Sequence, residues 1–209
     1  MKIVIFGASG GTGLEVLKQA LESGHTVTAF VRTTSKIDIQ HPNFTLFQGD
    51  VMDTNAVEKA IVGQDAVIST VGPVRPSIPG MMETAAKNIV AAMKKHGIRR
   101  IVSTTGAGVR QPEDQPKLMD RSIGILLNLL AKEAVLDAAA YVKYIQSSDL
   151  DWTIVRFPRL MDGAHTGRYR VGYVDKHSST QFARADGADF ILKELTEKKW
   201  LRKLPLVSY

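Results

Sequence analysis

The apolar run Lys2-Ile3-Val4-Ile5-Phe6 leads directly into Gly7-Ala8-Ser9-Gly10-Gly11-Thr12-Gly13. Apolar residues then recur at helical spacing, at Leu14, Val16, Leu17, Ala20 and Leu21. Few folds accept that order. A strand entering glycines that open a helix is a βαβ unit presenting a helix N-terminus to the pyrophosphate of a dinucleotide. Unpaired backbone N–H groups and the helix dipole attract the anion, and missing side chains let it approach. Gly7, Gly10, Gly11 and Gly13 are therefore read as the phosphate site, with Ser9 and Thr12 as further hydroxyl donors.

The remaining pattern alternates strands with helices. Apolar β-rich runs fall at 2–6, 26–31, 44–47, 66–71, 99–104 and 152–157. Helical periodicity falls at 11–23, 54–62, 82–96, about 118–147 and 186–197. Alternation of this kind predicts an α/β fold with a mainly parallel sheet covered on both faces. Right-handed crossovers make it doubly wound, in the order 3-2-1-4-5-6. Gly24 and Gly97 stand where helices end, and Asp53 where a helix N-cap belongs. There is no internal repeat, low-complexity tract or linker, so residues 1–209 read as one domain. The segments 72–80, 106–117 and 158–185 are irregular and are expected to flank the ligand crevice.

Composition narrows the classes of function. With 44% hydrophobic and 23% charged residues the chain has an ordinary globular balance. It contains no cysteine, which rules out disulfides and thiolate metal sites and fits a cytoplasmic setting. Strand 1 begins at residue 2, leaving no room ahead of it for a signal peptide. The most apolar run, 123–131, is too short to span a bilayer. A net charge of +6 raises nucleic acid as a partner, but the Lys and Arg residues are scattered and read as a solvated surface. Neither nucleic acid nor membrane is an expected partner.

The end of strand 2 carries the second signal. Nineteen residues beyond Gly13, where an acid would bind the adenosine ribose hydroxyls of NAD, stands Arg32, followed by Thr33, Thr34, Ser35 and Lys36. A guanidinium with hydroxyls beside it suits a 2′-phosphate, so NADP(H) is the preferred cofactor and NAD(H) the alternative. Asp50 follows strand 3, where its carboxylate would accept from the adenine amino group. Thr70-Val71-Gly72 closes strand 4, with Gly72 small enough for cofactor to pass. Ser103-Thr104-Thr105 closes strand 5, where hydroxyls would orient substrate or nicotinamide. The five histidines show no metal-ligand spacing; His165 and His177, in the substrate-side segment, are the two placed to meet a ligand.

These motifs, together with Gly63-Gln64-Asp65-Ala66-Val67-Ile68, Lys87-Asn88-Ile89-Val90-Ala91-Ala92-Met93, Trp152-Thr153-Ile154-Val155-Arg156 and Arg184-Ala185-Asp186, resemble the atypical short-chain dehydrogenase/reductases. Within them the chain is similar to the NAD(P)H-binding, NmrA-like proteins and to the small flavin reductases that also reduce biliverdin-IXβ. The resemblance implies a Rossmann fold binding NADP(H), with Asp50 and Val51 beside adenine and Thr70 and Gly72 near the ribose and pyrophosphate. It also implies hydride transfer to a substrate above strands 4 to 6.

One departure matters. None of the five tyrosines has a lysine four residues later, so the superfamily's Tyr-x-x-x-Lys proton donor is absent. Lys143 fits the lysine by position, for the nicotinamide ribose, but Ala139 stands where the tyrosine belongs. Gly106 replaces a serine of the flavin reductases, leaving Thr105 as the nearest hydroxyl. Ketone reduction develops alkoxide charge and gains from a positioned acid. A flavin or quinone delocalises the incoming charge and needs mainly proximity. The expected function is thus an NADPH-dependent reductase of flavins, quinones or similar conjugated small molecules, with Thr105 and Lys143 in supporting roles. The alternative is a non-catalytic NADP(H) sensor docking a regulatory protein, or a second subunit in a homodimer, through the apolar stretch 122–130. A sugar-nucleotide epimerase, which also relies on the missing tyrosine, is poorly supported.

Overall fold

Ile3, Val4, Ile5 and Phe6 are all fully buried, as only a central strand covered on both faces allows. In the computed structural model, which describes residues 1–74, 76–117 and 131–209, this strand is β1 (Lys2–Phe6). It lies between β2 (Thr26–Val31) and β4 (Ala66–Ser69), parallel to both. With β3 (Phe44–Gln48), β5 (Arg100–Gly106) and β6 (Asp151–Phe157) the parallel order is 3-2-1-4-5-6. The order of winding across the sheet therefore reverses at the β1–β4 junction, where doubly wound sheets open their ligand crevice.

Alternate residues of each strand feed two cores. Ile3, Ile5, Val102 and Val155 face α1 (Gly11–Glu22) and α5 (Arg184–Glu197). Val4, Phe6, Ile101 and Ile154 face α2 (Thr54–Ile61), α3 (Met81–Lys95) and α4 (Lys132–Gln146). Asp53 caps α2, its carboxylate accepting from Asn55 N–H at 2.9 Å and Ala56 N–H at 3.2 Å. Gly80 has no side chain to cap α3, and Asp137 of α4 does so across the helix pair, accepting from Met82 and Glu83 N–H at 3.0 Å each. Beneath the sheet, Arg100 and Glu194, 5% and 1% exposed, pair at 3.3 Å and anchor α5. Among the described residues no helix is long and apolar enough to cross a membrane.

The structure adds to the sequence reading in the C-terminal third. Segment 158–185 contains β7 (Arg159–Met161), β8 (Arg170–Gly172) and β9 (Gln181–Ala183). The chain ends in β10 (Leu206–Ser208), parallel to β6, and β8 joins β10 antiparallel to extend the sheet. β7 and β9 form a separate parallel ribbon. Three-residue strands are too short to show a period of two, which is why the pattern reads as irregular. β4 stops at Ser69 rather than 71, and β5 runs on to Gly106 because it stays paired with β6 as far as Phe157. Residues 118–130, the first part of the expected long helix together with the apolar stretch, lie outside the described residues.

Candidate functional site

The phosphate loop is built by contacts that exclude side chains. Gly7 has φ +80°, and a Cβ there would stand 2.8 Å from the backbone carbon and oxygen of Thr70. A Cβ on Gly13 would stand 2.2 Å from Gly7 O. α1 thus begins wedged against the end of β1, with Gly10 as its N-cap. Gly10 N–H donates to Gly7 O at 3.0 Å, no side chain caps the helix, and no acid occupies its first turn. The first-turn N–H groups are left without a protein cap at the positive end of the helix dipole. Ser9 and Thr12 are half-buried. This cradle fits a dinucleotide pyrophosphate.

One strand over, Arg32 is exposed at the end of β2. Its carbonyl accepts from Gln48 Nε2 at 3.1 Å, while its guanidinium has no protein partner among the described residues. Thr34 and Ser35 follow in a 3-10 turn. Gly72 has open space around its Cβ position. Three other expected cofactor residues are used by the protein. The Asp50 carboxylate accepts from Met52 N–H at 2.9 Å, Val51 packs into the core, and the Thr70 hydroxyl lies 3.1 Å from Phe6 O and 3.2 Å from Gly7 O, tying β4 to the glycine turn.

Thr105, near the end of β5, has its Oγ1 buried without a hydrogen-bond partner among the described residues. Such an atom costs about 1–3 kcal/mol unless a ligand or water completes it. Two residues earlier on the same face, Ser103 Oγ lies 2.6 Å from Tyr141 Oη, which donates to Ser69 Oγ at 2.6 Å. Burial pushes the Tyr141 hydroxyl up from its ordinary value, more than the two serines pull it down. It is fully buried and pins α4 to the sheet.

The structure does not bring Lys143 to this place. Tyr141, Val142 and Ile145 face the core, so Lys143 is turned to solvent in the last turn of α4. The histidines are also elsewhere: His177 is exposed, and His165, half exposed, has Nε2 3.5 Å from Asp189.

Beside Thr105 a pocket of about 580 Å³ opens at the C-terminal ends of β5 and β6. Its walls come from 106–110, 157–159, 174–181 and Leu206. Arg156 holds them together. Fully buried, it pairs with Asp114 at 2.6 and 2.9 Å and donates to Val109 O and Leu204 O. Asp114 also accepts from Gln111 and Val174 N–H. Burial alone would raise the Asp114 carboxyl, but the hydrogen bonds from Arg156 and the two amides hold it below the ordinary range.

Arg184 is a candidate site residue that the sequence pattern does not single out. It opens α5 and lies across Gly11, whose Cβ would fall 2.7 Å from Arg184 Nε. Its Nη1 pairs with Asp162, which follows β7. Only the Arg184-Ala185-Asp186 motif hinted at it, as an entry to the last helix.

A family model for NAD(P)H-binding proteins matches residues 7–198. The chain belongs to that family. It is 30% identical over 207 residues to the uncharacterized protein YwnB of Bacillus subtilis (strain 168), with 93% of this chain and 92% of YwnB covered. A short-chain dehydrogenase/reductase from Veillonella parvula in complex with NADP superposes with a TM-score of 0.83 at 20% identity, over 100% of this chain and 94% of the other. ChuY, an anaerobilin reductase from Escherichia coli O157:H7, does so with a TM-score of 0.78 at 23% identity, over 100% and 97%. These two share the fold. Some curated relatives are much longer: the chain spans 51% of one and 35% of another.

Proposed function

We propose that the protein is an NADPH-dependent reductase of flavins, quinones or related conjugated acceptors. The observation that supports it best is the unsatisfied Thr105 hydroxyl near the end of β5, one residue before the pocket lining begins at Gly106, in a sheet whose β1 leads into the uncapped α1 N-terminus. The first-turn N–H groups of α1 bind the pyrophosphate, with Ser9 and Thr12 adding hydroxyls. Arg184 adds a cation from the α5 side, exchanging Asp162 for phosphate. Arg32 takes the 2′-phosphate and sets the preference for NADP(H) over NAD(H). Bound in this cleft, NADPH supplies a hydride, leaving NADP⁺.

Thr105 Oγ1 orients the nicotinamide or the acceptor at the pocket mouth. The chain needs no acid of its own for such acceptors. The hydride's electron pair enters a conjugated ring system, and the balancing proton comes from water. Catalysis is then mainly positioning, whose ceiling is high. The sensor alternative depends on the apolar stretch 122–130, outside the described residues, whereas the pocket beside Thr105 gives a reductase a place for its acceptor.

The test is oxidation of NADPH, followed at 340 nm, with FMN, riboflavin and naphthoquinones, beside calorimetric titration with NADPH and NADH. Turnover above the uncatalysed background, with tighter binding of NADPH, is expected. Binding without turnover on every acceptor would favour the sensor.

A further inference from the structure

The pocket beside Thr105 has an unbalanced lining. Its walls are mainly apolar, with Phe157, Val174 and Leu206 among them, and its charged lining residues are Arg110 and Arg159, with no acid. Three carboxylates near these arginines in sequence are engaged by other cations: Asp114 by Arg156, Asp162 by Arg184 and Asp175 by Arg170. The Arg159 side chain is exposed at the start of β7 and makes no hydrogen bond or ion pair among the described residues. Its backbone is fixed, Arg159 N–H donating to Thr180 O at 3.2 Å and β7 pairing with β9. Hydroxyls of Ser178, Ser179 and Thr180 lie on the same lining.

We infer that this pocket takes a planar conjugated acceptor bearing a phosphate or carboxylate, and that Arg159 reads the anionic group. The inference rests on the reductase reading and deepens it. The pocket's volume of about 580 Å³ falls in the range that encloses a small organic molecule. Apolar walls suit the faces of a ring system, which is where hydride must arrive. A guanidinium fork at the mouth matches an oxyanion in a way no apolar or hydroxyl group does. Arg110, also on the lining, adds positive potential. A cationic acceptor would meet like charge from Arg159.

The experiment compares acceptors that differ only in charge. FMN is set against riboflavin for phosphate, and a naphthoquinone carboxylate against its methyl ester for carboxylate. The expected result is that kcat/KM favours the anion by about tenfold in at least one pair, as one charge-assisted contact at an exposed mouth would give. Arg159→Gln should lower the rate for the anion several-fold more than for its neutral partner, and Arg159→Lys should retain part of the preference. Equal treatment of anion and neutral by the wild type, or an equal loss on both in Arg159→Gln, would overturn the inference while leaving the reductase reading intact. If no acceptor turns over, the reductase reading fails. The pocket is then judged by flavin fluorescence in the presence of NADP⁺: tighter binding of FMN than riboflavin sustains the anion site, and equal affinity ends it.

Discussion

Gly13→Ala is the sharpest test of the phosphate loop, because the clash is with groups that cannot turn aside. The added methyl would lie 2.2 Å from Gly7 O, 2.8 Å from Ala8 Cα and 2.8 Å from Thr70 Oγ1. The first two are backbone. Thr70 Oγ1 is itself held against Phe6 O and Gly7 O. Relief requires the start of α1 to move about 1 Å from the end of β1, an overpacking that costs about 1–3 kcal/mol. Alanine's better helix propensity returns up to about 1 kcal/mol. A net loss of up to about 2 kcal/mol should lower the melting temperature by up to roughly 8 °C in a chain of this size.

The functional loss should be larger than the stability loss, since the same shift moves the amides that hold the pyrophosphate. NADPH affinity should fall at least tenfold by calorimetry at a temperature where the variant remains folded. Gly172→Ala is the control. Nothing lies within 4 Å of its Cβ position, so it should leave both melting temperature and NADPH affinity near wild type. If Gly13→Ala bound NADPH as the wild type does, the wedge between β1 and α1 would not be what shapes the cofactor site.

The buried Arg156–Asp114 pair should behave as a structural staple for the pocket. Asp114→Asn leaves a buried guanidinium without its counter-charge and should cost about 3–5 kcal/mol in denaturant unfolding at pH 7. Because Asp114 titrates below its unfolded value, its contribution is complete above about pH 4 and is lost as pH falls through the folded pKa. The stability gap between wild type and Asp114→Asn should therefore narrow as the pH falls below about 4. Arg184→Met and Arg32→Met should separate two anions of one ligand. The first should weaken NADPH and NADH by the same factor in titration, and the second should weaken NADPH alone by about tenfold or more. A selective loss of NADPH in Arg184→Met would place that arginine at the 2′-phosphate instead.

What was legible in the sequence was local. The strand, glycines and helix of the phosphate loop lie within the first 22 residues, and each enforces the next. Arg32 followed from a fixed spacing along one βαβ unit. Thr105 followed from the resemblance, as the hydroxyl nearest to Gly106, and in the structure it shares a strand face with Ile101 and Ser103. Lys143 failed because position in the chain was matched without helical phase, and core contacts by Tyr141, Val142 and Ile145 turn it outward. Asp50, Val51 and Thr70 sit near the expected edge, yet backbone groups and the core engage them. The pocket was illegible for a different reason. Its walls come from four separated parts of the chain, held by an ion pair spanning 42 residues, and no periodicity records such a pairing.

That construction bears on how cofactor and acceptor sites cooperate. β7 is three residues long, roughly 10 Å of extended chain. Arg159 stands at the pocket mouth at one end, and Asp162, just past the other, pairs with the arginine lying across Gly11. If Arg184 turns to the pyrophosphate when cofactor binds, Asp162 loses its partner, and the ribbon carrying Arg159 loses one of its outer ties. The remaining ties hold through β9 and through Asp186, which accepts from Thr166, Gly167 and the Tyr209 hydroxyl. Acceptor affinity measured without cofactor should then change in Asp162→Asn, which cuts the tie without touching the phosphate loop or the pocket lining, and should stay put in Arg32→Met. The reverse pattern would mean that the two sites share a crevice but no mechanical link.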